Sequence, residues 1–141
     1  MSADFFLDTN ILVYSFDGKD PEKKRLAEDL IARAIETRAG LISWQVVQEF
    51  LHVALHKWEI PMQPADSAIY LQTTLLPLCR VFPSAGIWSE ALRIHQESQL
   101  RFYDSQIVAA AIESGATTLY SEDMQHGRRF GALTIRNPFS E

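Results

Sequence analysis

The 141-residue sequence has only one cysteine, Cys79, so no disulfide can form within the chain, and we expect a protein of the reducing cytoplasm. No apolar run approaches the roughly 18 residues of a membrane span. The N-terminus lacks the cationic segment and apolar stretch of a secretory signal. Positive charge is not in excess either: the formal net charge is −5, whereas a basic footprint is the usual sign of nucleic-acid binding. The charge alone therefore favours neither a nuclease nor an ordinary acidic metabolic enzyme.

Apolar residues, by contrast, are plentiful. They make up 47% of the sequence, which is enough for a sizeable core without disulfide or zinc crosslinks. The chain shows no internal repeat, low-complexity tract or linker, and its length suits one domain. We therefore predict a single domain spanning residues 1–141.

Strand and helix patterns alternate along the chain. Short apolar runs predict strands at residues 4–7, 41–43, 80–82, 117–120 and 133–136. Helical patterns cover residues 11–16, 20–38, 44–58, 65–76, 87–99 and 103–114. The last of these is apolar nearly all round and should be buried, with Gly115 as its C-cap. This alternation predicts an α/β fold with a mainly parallel sheet.

Four acidic residues occupy positions that could converge at one edge of this sheet. Asp8 follows the first predicted strand, and Asp123 lies just beyond the strand at residues 117–120. Asp104 is in the first turn of the buried helix, and Glu49 lies beside the apolar stripe of its own helix. Because ligands bind at the carboxyl ends of parallel strands, we predict that the four carboxylates share one site.

Convergence of four carboxylates requires compensation of their charge. Two like charges about 4 Å apart repel by roughly 1 kcal/mol in water and about 4 kcal/mol at an effective dielectric near 20. Hard oxygen ligands favour Mg²⁺ or Mn²⁺ over zinc, and a carboxylate-held cation can activate water for phosphoryl displacement. Taken singly, each acid also has a purely structural interpretation: Asp8 or Asp104 as a helix N-cap, and Glu49 or Asp123 as solvated charge.

The contexts of these acids resemble the four motifs of the PIN-domain ribonucleases, with an especially close match to the toxins of VapC-type toxin–antitoxin pairs. The motifs are LDTNIL at residues 7–12, QEF at 48–50, YDSQIVAAA at 103–111, and LYSEDM at 119–124 followed by Gly127. The chain end, IRNPF at residues 135–139, also resembles the family. Asp-Thr-Asn alone is a weak signal, but four motifs in order on the expected elements are specific, and the resemblance runs from Phe5 to Phe139.

The resemblance implies a three-layer α/β/α sandwich and a ribonuclease that depends on Mg²⁺ or Mn²⁺ and hydrolyses RNA phosphodiesters. It also implies a cognate antitoxin and a homodimer. Carried over by position, Asp8 and Asp104 would hold the principal cation, and Glu49 and Asp123 would complete or extend the site. Three polar residues would support it: Asn10, Ser121 and Glu122. Glu122 departs from the simplest form of the fourth motif, which leaves open whether Asp123 or Glu122 binds the cation directly.

RNA binding requires positive charge. Two clusters offer it: Lys19, Lys23, Lys24 and Arg25 at the start of one helix, and Arg101, Arg128 and Arg129 around the third and fourth motifs. Each cluster could contact phosphates or simply be solvated.

Other functions are less well supported by the sequence. Glu49, His52 and His56 lie near one helical face, but a di-iron bundle needs a second Glu-x-x-His helix, and a zincin needs another glutamate. A phosphatase of the haloacid dehalogenase type would want an aspartate where Asn10 stands. Two alternatives remain within the same fold: a non-catalytic binding module, and a housekeeping RNA-processing nuclease outside a toxin–antitoxin pair.

Overall fold

The computed structural model describes residues 4–140, in which strands and helices alternate along the chain. The strands are β1 (Phe5–Leu7), β2 (Gly40–Ser43), β3 (Cys79–Val81), β4 (Thr118–Tyr120), β5 (Arg129–Phe130) and β6 (Leu133–Arg136). The helices are α1 (Thr9–Tyr14), α2 (Pro21–Thr37), α3 (Trp44–His56), α4 (Pro64–Tyr70), α5 (Leu76–Leu78), α6 (Ala85–Ser98) and α7 (Phe102–Ser114), with a π-helical segment, Leu71–Leu75, between α4 and α5. The ends of the predicted domain, residues 1–3 and 141, lie outside the described residues.

The strands form one six-stranded sheet in the order β3-β2-β1-β4-β6-β5. All neighbours pair in parallel except β5, which runs antiparallel to β6 at one edge. Helices flank the sheet, so the predicted α/β fold with a mainly parallel sheet is confirmed. The chain proceeds from β1 to β2 and β3 on one side, whereas β4 and β6 lie on the other. The switch point of the sheet is therefore between β1 and β4, where a crevice opens at the carboxyl ends of the strands.

The most apolar elements lie at the centre of the molecule. All three residues of β1 are buried, which explains why its sequence lacks the polar alternation of a one-sided strand. Helix α7 buries seven consecutive residues, from Ser105 to Ala111, and ends at Gly115 with φ of 83°, as the sequence predicts. Between residues 4 and 140, no helix has both the length and the apolar character needed to cross a bilayer.

Short connections place two helix starts at the carboxyl edge of the sheet. Ser43, the last residue of β2, is also the N-cap of α3, so α3 begins where its strand ends. Helix α7 reaches the start of β4 through only three residues, Gly115 to Thr117. It must therefore run antiparallel to β4 and begin near the opposite, carboxyl edge.

Gly40 provides a test of the packing between β1, β2 and α2. A Cβ atom added there would lie 2.5 Å from the Ala34 Cβ and 2.5 Å from a ring carbon of Phe5. We expect Gly40→Ala to lower the free energy of unfolding by about 1–3 kcal/mol, because an overpacked core must shift its neighbours. Gly18→Ala is the matched control, since no atom lies within 4 Å of its added Cβ. Equal stability of both variants in urea unfolding would contradict this packing.

Candidate active site

One cleft brings together the acidic residues singled out in the sequence. It has a volume of about 670 Å³ and is lined by Asp8, Glu49, Asp104, Glu122 and Asp123, together with polar and apolar neighbours. Asp8 follows β1, and Asp123 lies three residues beyond β4, so both border the switch point of the sheet. Asp104, in the first turn of α7, and Glu49, in the second turn of α3, are the other two predicted acids of the cleft.

Asp8 is the most deeply placed carboxylate of the site, with 5% of its surface exposed. One oxygen accepts the Thr9 backbone N–H at 2.7 Å, which caps α1, and the other accepts the Ser121 hydroxyl at 2.7 Å. Burial raises the pKa of Asp8 to about 7 although both hydrogen bonds favour the ionised form, and the charges of Glu49 and Asp104 raise it further. Asp8 is thus both a helix cap and an acid whose ionisation is opposed by its surroundings.

Glu49 is oriented by a chain of polar side chains that the sequence analysis did not identify. The Thr9 hydroxyl donates to one Glu49 oxygen at 2.6 Å, and the Gln45 amide lies 3.3 Å from the other. The Gln45 amide nitrogen also donates to the Tyr103 carbonyl, and its oxygen accepts from Gln106 at 2.7 Å. Gln106 is a buried polar residue in the otherwise apolar α7, and that exception was the available sequence signal.

Asp104 lies in the first turn of α7, as predicted, but Arg101 occupies the N-cap position. In the described chain, no side-chain or backbone group donates a hydrogen bond to its carboxylate. Burial raises the pKa of Asp104, with further upward contributions from the charges of Asp123 and Glu49 and an opposing one from Arg101. Its oxygens therefore face the cleft without a protein donor.

Asp123 is exposed at the rim of the cleft and accepts the Asn10 amide at 3.2 Å. Asn10 also accepts the Glu122 backbone N–H at 3.2 Å, so this one amide contacts two adjacent residues of the loop after β4. Glu122 points its carboxylate to Tyr14 and Lys23 instead, at 2.5 Å from each. Of the three polar residues predicted to support the site, Ser121 thus contacts Asp8 and Asn10 contacts Asp123, whereas the Glu122 side chain contacts neither of these acids.

The donor set suits a hard divalent cation, since every acidic group on the cleft offers oxygen. Desolvation and mutual repulsion already disfavour full ionisation of Asp8 and Asp104, and a cation would relieve both effects. Over residues 4–140, however, no three histidine, cysteine or acidic side chains stand at mutual coordination distances. A cation would thus require small side-chain rotations or water-mediated contacts. His52, which also lines the cleft, packs against His56 with the rings tilted and their centroids 5.2 Å apart.

A family model described as the PIN domain matches residues 5–129. The chain belongs to the PIN-domain family. It is 30% identical over 121 residues to the ribonuclease VapC7 of Mycobacterium tuberculosis, covering 83% of this chain and 80% of that protein.

Two solved structures share the PIN fold over nearly the whole chain. A toxin–antitoxin complex from Klebsiella pneumoniae superposes with a TM-score of 0.69 at 20% identity, covering 99% of this chain and 100% of that one. VapBC2 from Rickettsia felis, bound to a promoter DNA fragment, gives a TM-score of 0.63 at 21% identity, with 94% and 97% coverage.

The basic residues of this PIN domain lie outside the lining of the cleft. Arg128 donates to the Ser98 carbonyl at 2.7 Å, and Arg129 borders a separate cavity beside α6. Arg101 is close enough for its charge to lower the pKa of Asp104. The cluster at the start of α2 is paired with carboxylates throughout: Lys19 with Glu59, Lys23 with Glu122, Lys24 with Glu28, and Arg25 with Glu22 and Asp29.

Proposed function

We propose that this PIN domain is an endoribonuclease that uses Mg²⁺ or Mn²⁺ to hydrolyse RNA phosphodiesters. The observation that carries the proposal is the meeting of Asp8, Glu49, Asp104 and Asp123 on one cleft that receives little positive charge from the protein. Such a cleft would repel a phosphodiester unless cations intervened. The relationship to a protein named a ribonuclease supports RNA as the substrate.

The surroundings of the four acids indicate which role each would have in holding the cation. A bound divalent cation would acidify a water molecule and offset the charge that develops on the phosphorane-like transition state. Asp8 and Asp104 would hold the principal cation: Asp8 is fixed by Ser121 and by the N-terminus of α1, and no donor within residues 4–140 occupies the Asp104 carboxylate. Glu49 and Asp123 would complete or extend the site, in part through water, with Thr9 and Asn10 orienting one oxygen of each.

We further propose that the chain is the toxin of a type II toxin–antitoxin system and acts in the cytoplasm with a cognate antitoxin. The similar fold of the toxin–antitoxin complex from Klebsiella pneumoniae and of VapBC2 supports this partner. A homodimer would also help with substrate capture. With a net charge of −5 and few basic side chains near its cleft, one subunit offers little attraction to RNA. Two subunits could border a common groove.

The proposal is tested by the metal dependence of RNA cleavage. With total RNA as substrate, we expect discrete cleavage in Mg²⁺ or Mn²⁺, complete loss in excess EDTA, and recovery when Mn²⁺ is added back. Sequencing of the new 5′ ends would locate the cut sites. Cleavage that persists in EDTA would contradict the mechanism. An intact RNA pool combined with no Mn²⁺ binding in calorimetry would instead indicate a non-catalytic binding module.

A further inference from the structure

Glu122, which borders the cleft beside Asp123, has both carboxylate oxygens engaged. The Tyr14 hydroxyl donates to one oxygen at 2.5 Å, and the Lys23 ammonium donates to the other at 2.5 Å. The side chains of Lys23 and Glu122 are 29% and 23% exposed, so this pair is largely shielded from water. Because charge-assisted hydrogen bonds are strong, they hold the Glu122 carboxylate against Tyr14 and Lys23.

Lys23 and Tyr14 are themselves held in place by aromatic packing. The Lys23 ammonium lies 4.6 Å from the Tyr14 ring centroid and 5.5 Å from that of Phe139. The Tyr14 and Phe139 rings pack edge to face at 5.1 Å. Cation–π and edge-to-face contacts of this kind favour one arrangement of the two donors. Contacts that do not involve Glu122 thus hold both donors in place.

Asn10 also contacts the loop after β4, which carries Glu122 and Asp123. The Glu122 backbone N–H donates to the Asn10 oxygen at 3.2 Å, and the Asn10 amide donates to Asp123 at 3.2 Å. The side chain of Glu122 is thus tied to Tyr14 of α1 and Lys23 of α2, and its backbone is tied to Asn10 of α1. With the Glu122 position fixed in two directions, the adjacent Asp123 has little freedom except rotation of its own side chain.

We propose that Tyr14 and Lys23 are positioning residues that act through Glu122 to fix the loop presenting Asp123 to the cation. The inference rests on the proposed function. It also separates two neighbouring acids, Glu122 as an anchor and Asp123 as the ligand, and it gives Lys23 a role other than binding RNA phosphates. Without its two donors, Glu122 would be a fifth uncompensated carboxylate on the cleft, and its side chain would no longer be tied to α1 and α2.

Tyr14→Phe is the sharpest variant, because it removes one hydrogen bond while keeping the ring, its packing and the net charge. In the protein without metal, we expect the Glu122 amide N–H to exchange about tenfold faster with deuterated solvent, as the loss of one charge-assisted hydrogen bond implies. An unchanged exchange rate would overturn the inference. This readout needs neither metal nor RNA, so it stays decisive even if the proposed nuclease function fails.

Calorimetric titration with Mn²⁺ alone then tests the connection to Asp123. We expect Tyr14→Phe and Lys23→Met each to weaken Mn²⁺ binding by about tenfold, in the range seen when groups that orient metal ligands are removed. In an Asp123→Asn background the same substitutions should have no further effect, whereas a general loss of stability would weaken binding in both backgrounds.

Lys24→Met is the matched control, since it removes one positive charge from the same helix and breaks only the exposed contact with Glu28. A purely through-space effect of charge would make both lysine variants bind Mn²⁺ slightly more tightly. Equal or tighter binding by Lys23→Met, with unchanged binding by Tyr14→Phe, would therefore overturn the role of both residues.

Discussion

Asp104→Asn should lower the rate of Mg²⁺-dependent RNA cleavage by about 10³-fold, which corresponds to about 4 kcal/mol of transition-state stabilisation. The Asp104 carboxylate is the one predicted ligand that no group within residues 4–140 engages by a hydrogen bond, so its charge is available to a cation. The amide has nearly the same shape but lacks that charge. The fold should therefore persist while the rate falls, as initial rates and a thermal unfolding curve would show.

Asp66→Asn is a suitable control for this substitution, because Asp66 also occupies the first turn of a helix but is exposed and does not line the cleft. It should cleave RNA at the wild-type rate. Cleavage by Asp104→Asn within a few-fold of wild type would remove Asp104 from the proposed set of metal ligands. Loss of activity in both variants would point to a general charge effect instead.

The parts of the fold that could be predicted from sequence are those in which local pattern and tertiary burial agree. The apolar run of β1 and the nearly uniform apolar surface of α7 each have one physical explanation, which is burial on all sides. The two-residue β5 left no such pattern, because an edge strand of that length depends on its antiparallel partner β6. The π-helical segment at Leu71–Leu75 was likewise hidden, since it continues the helical periodicity of its neighbours.

The acids of the cleft could also be predicted from local sequence pattern, whereas the groups that orient them could not. Asp8 and Asp104 adjoin regular elements whose direction fixes the edge at which they lie. The contact between Tyr14 and Glu122 spans 108 positions, and that between Lys23 and Glu122 spans 99. Neither has a local signal. Polar partners so far apart in sequence can be identified only from the fold, which brings α1, α2 and the loop after β4 together.

The burial of Asp8 should give the metal-free protein a distinctive dependence of stability on pH. Its pKa of about 7 in the folded chain lies above the usual aspartate value of 3.8, so the folded state binds more protons than the unfolded state between these limits. Stability must therefore fall as the pH rises through this window. Between about pH 5 and about pH 7.5, the titration of Asp8 should lower the free energy of unfolding by about 3 kcal/mol, at 1.36 kcal/mol for each pKa unit.

Asp8→Asn removes this titration, so in EDTA its free energy of unfolding should decline about 3 kcal/mol less than that of wild type over the same pH interval. Urea unfolding at both pH values measures the difference, and Asp29→Asn, an exposed acid paired with Arg25, provides the control. Parallel pH profiles for wild type and Asp8→Asn would show that Asp8 is ionised throughout. Near pH 7.5, saturating Mn²⁺ should raise the free energy of unfolding of the wild-type protein but not that of the Asp8→Asn variant. A cation stabilises the folded state only through ligands that can bind it. The same carboxylate would then account both for the instability of the metal-free cleft and for its affinity for metal.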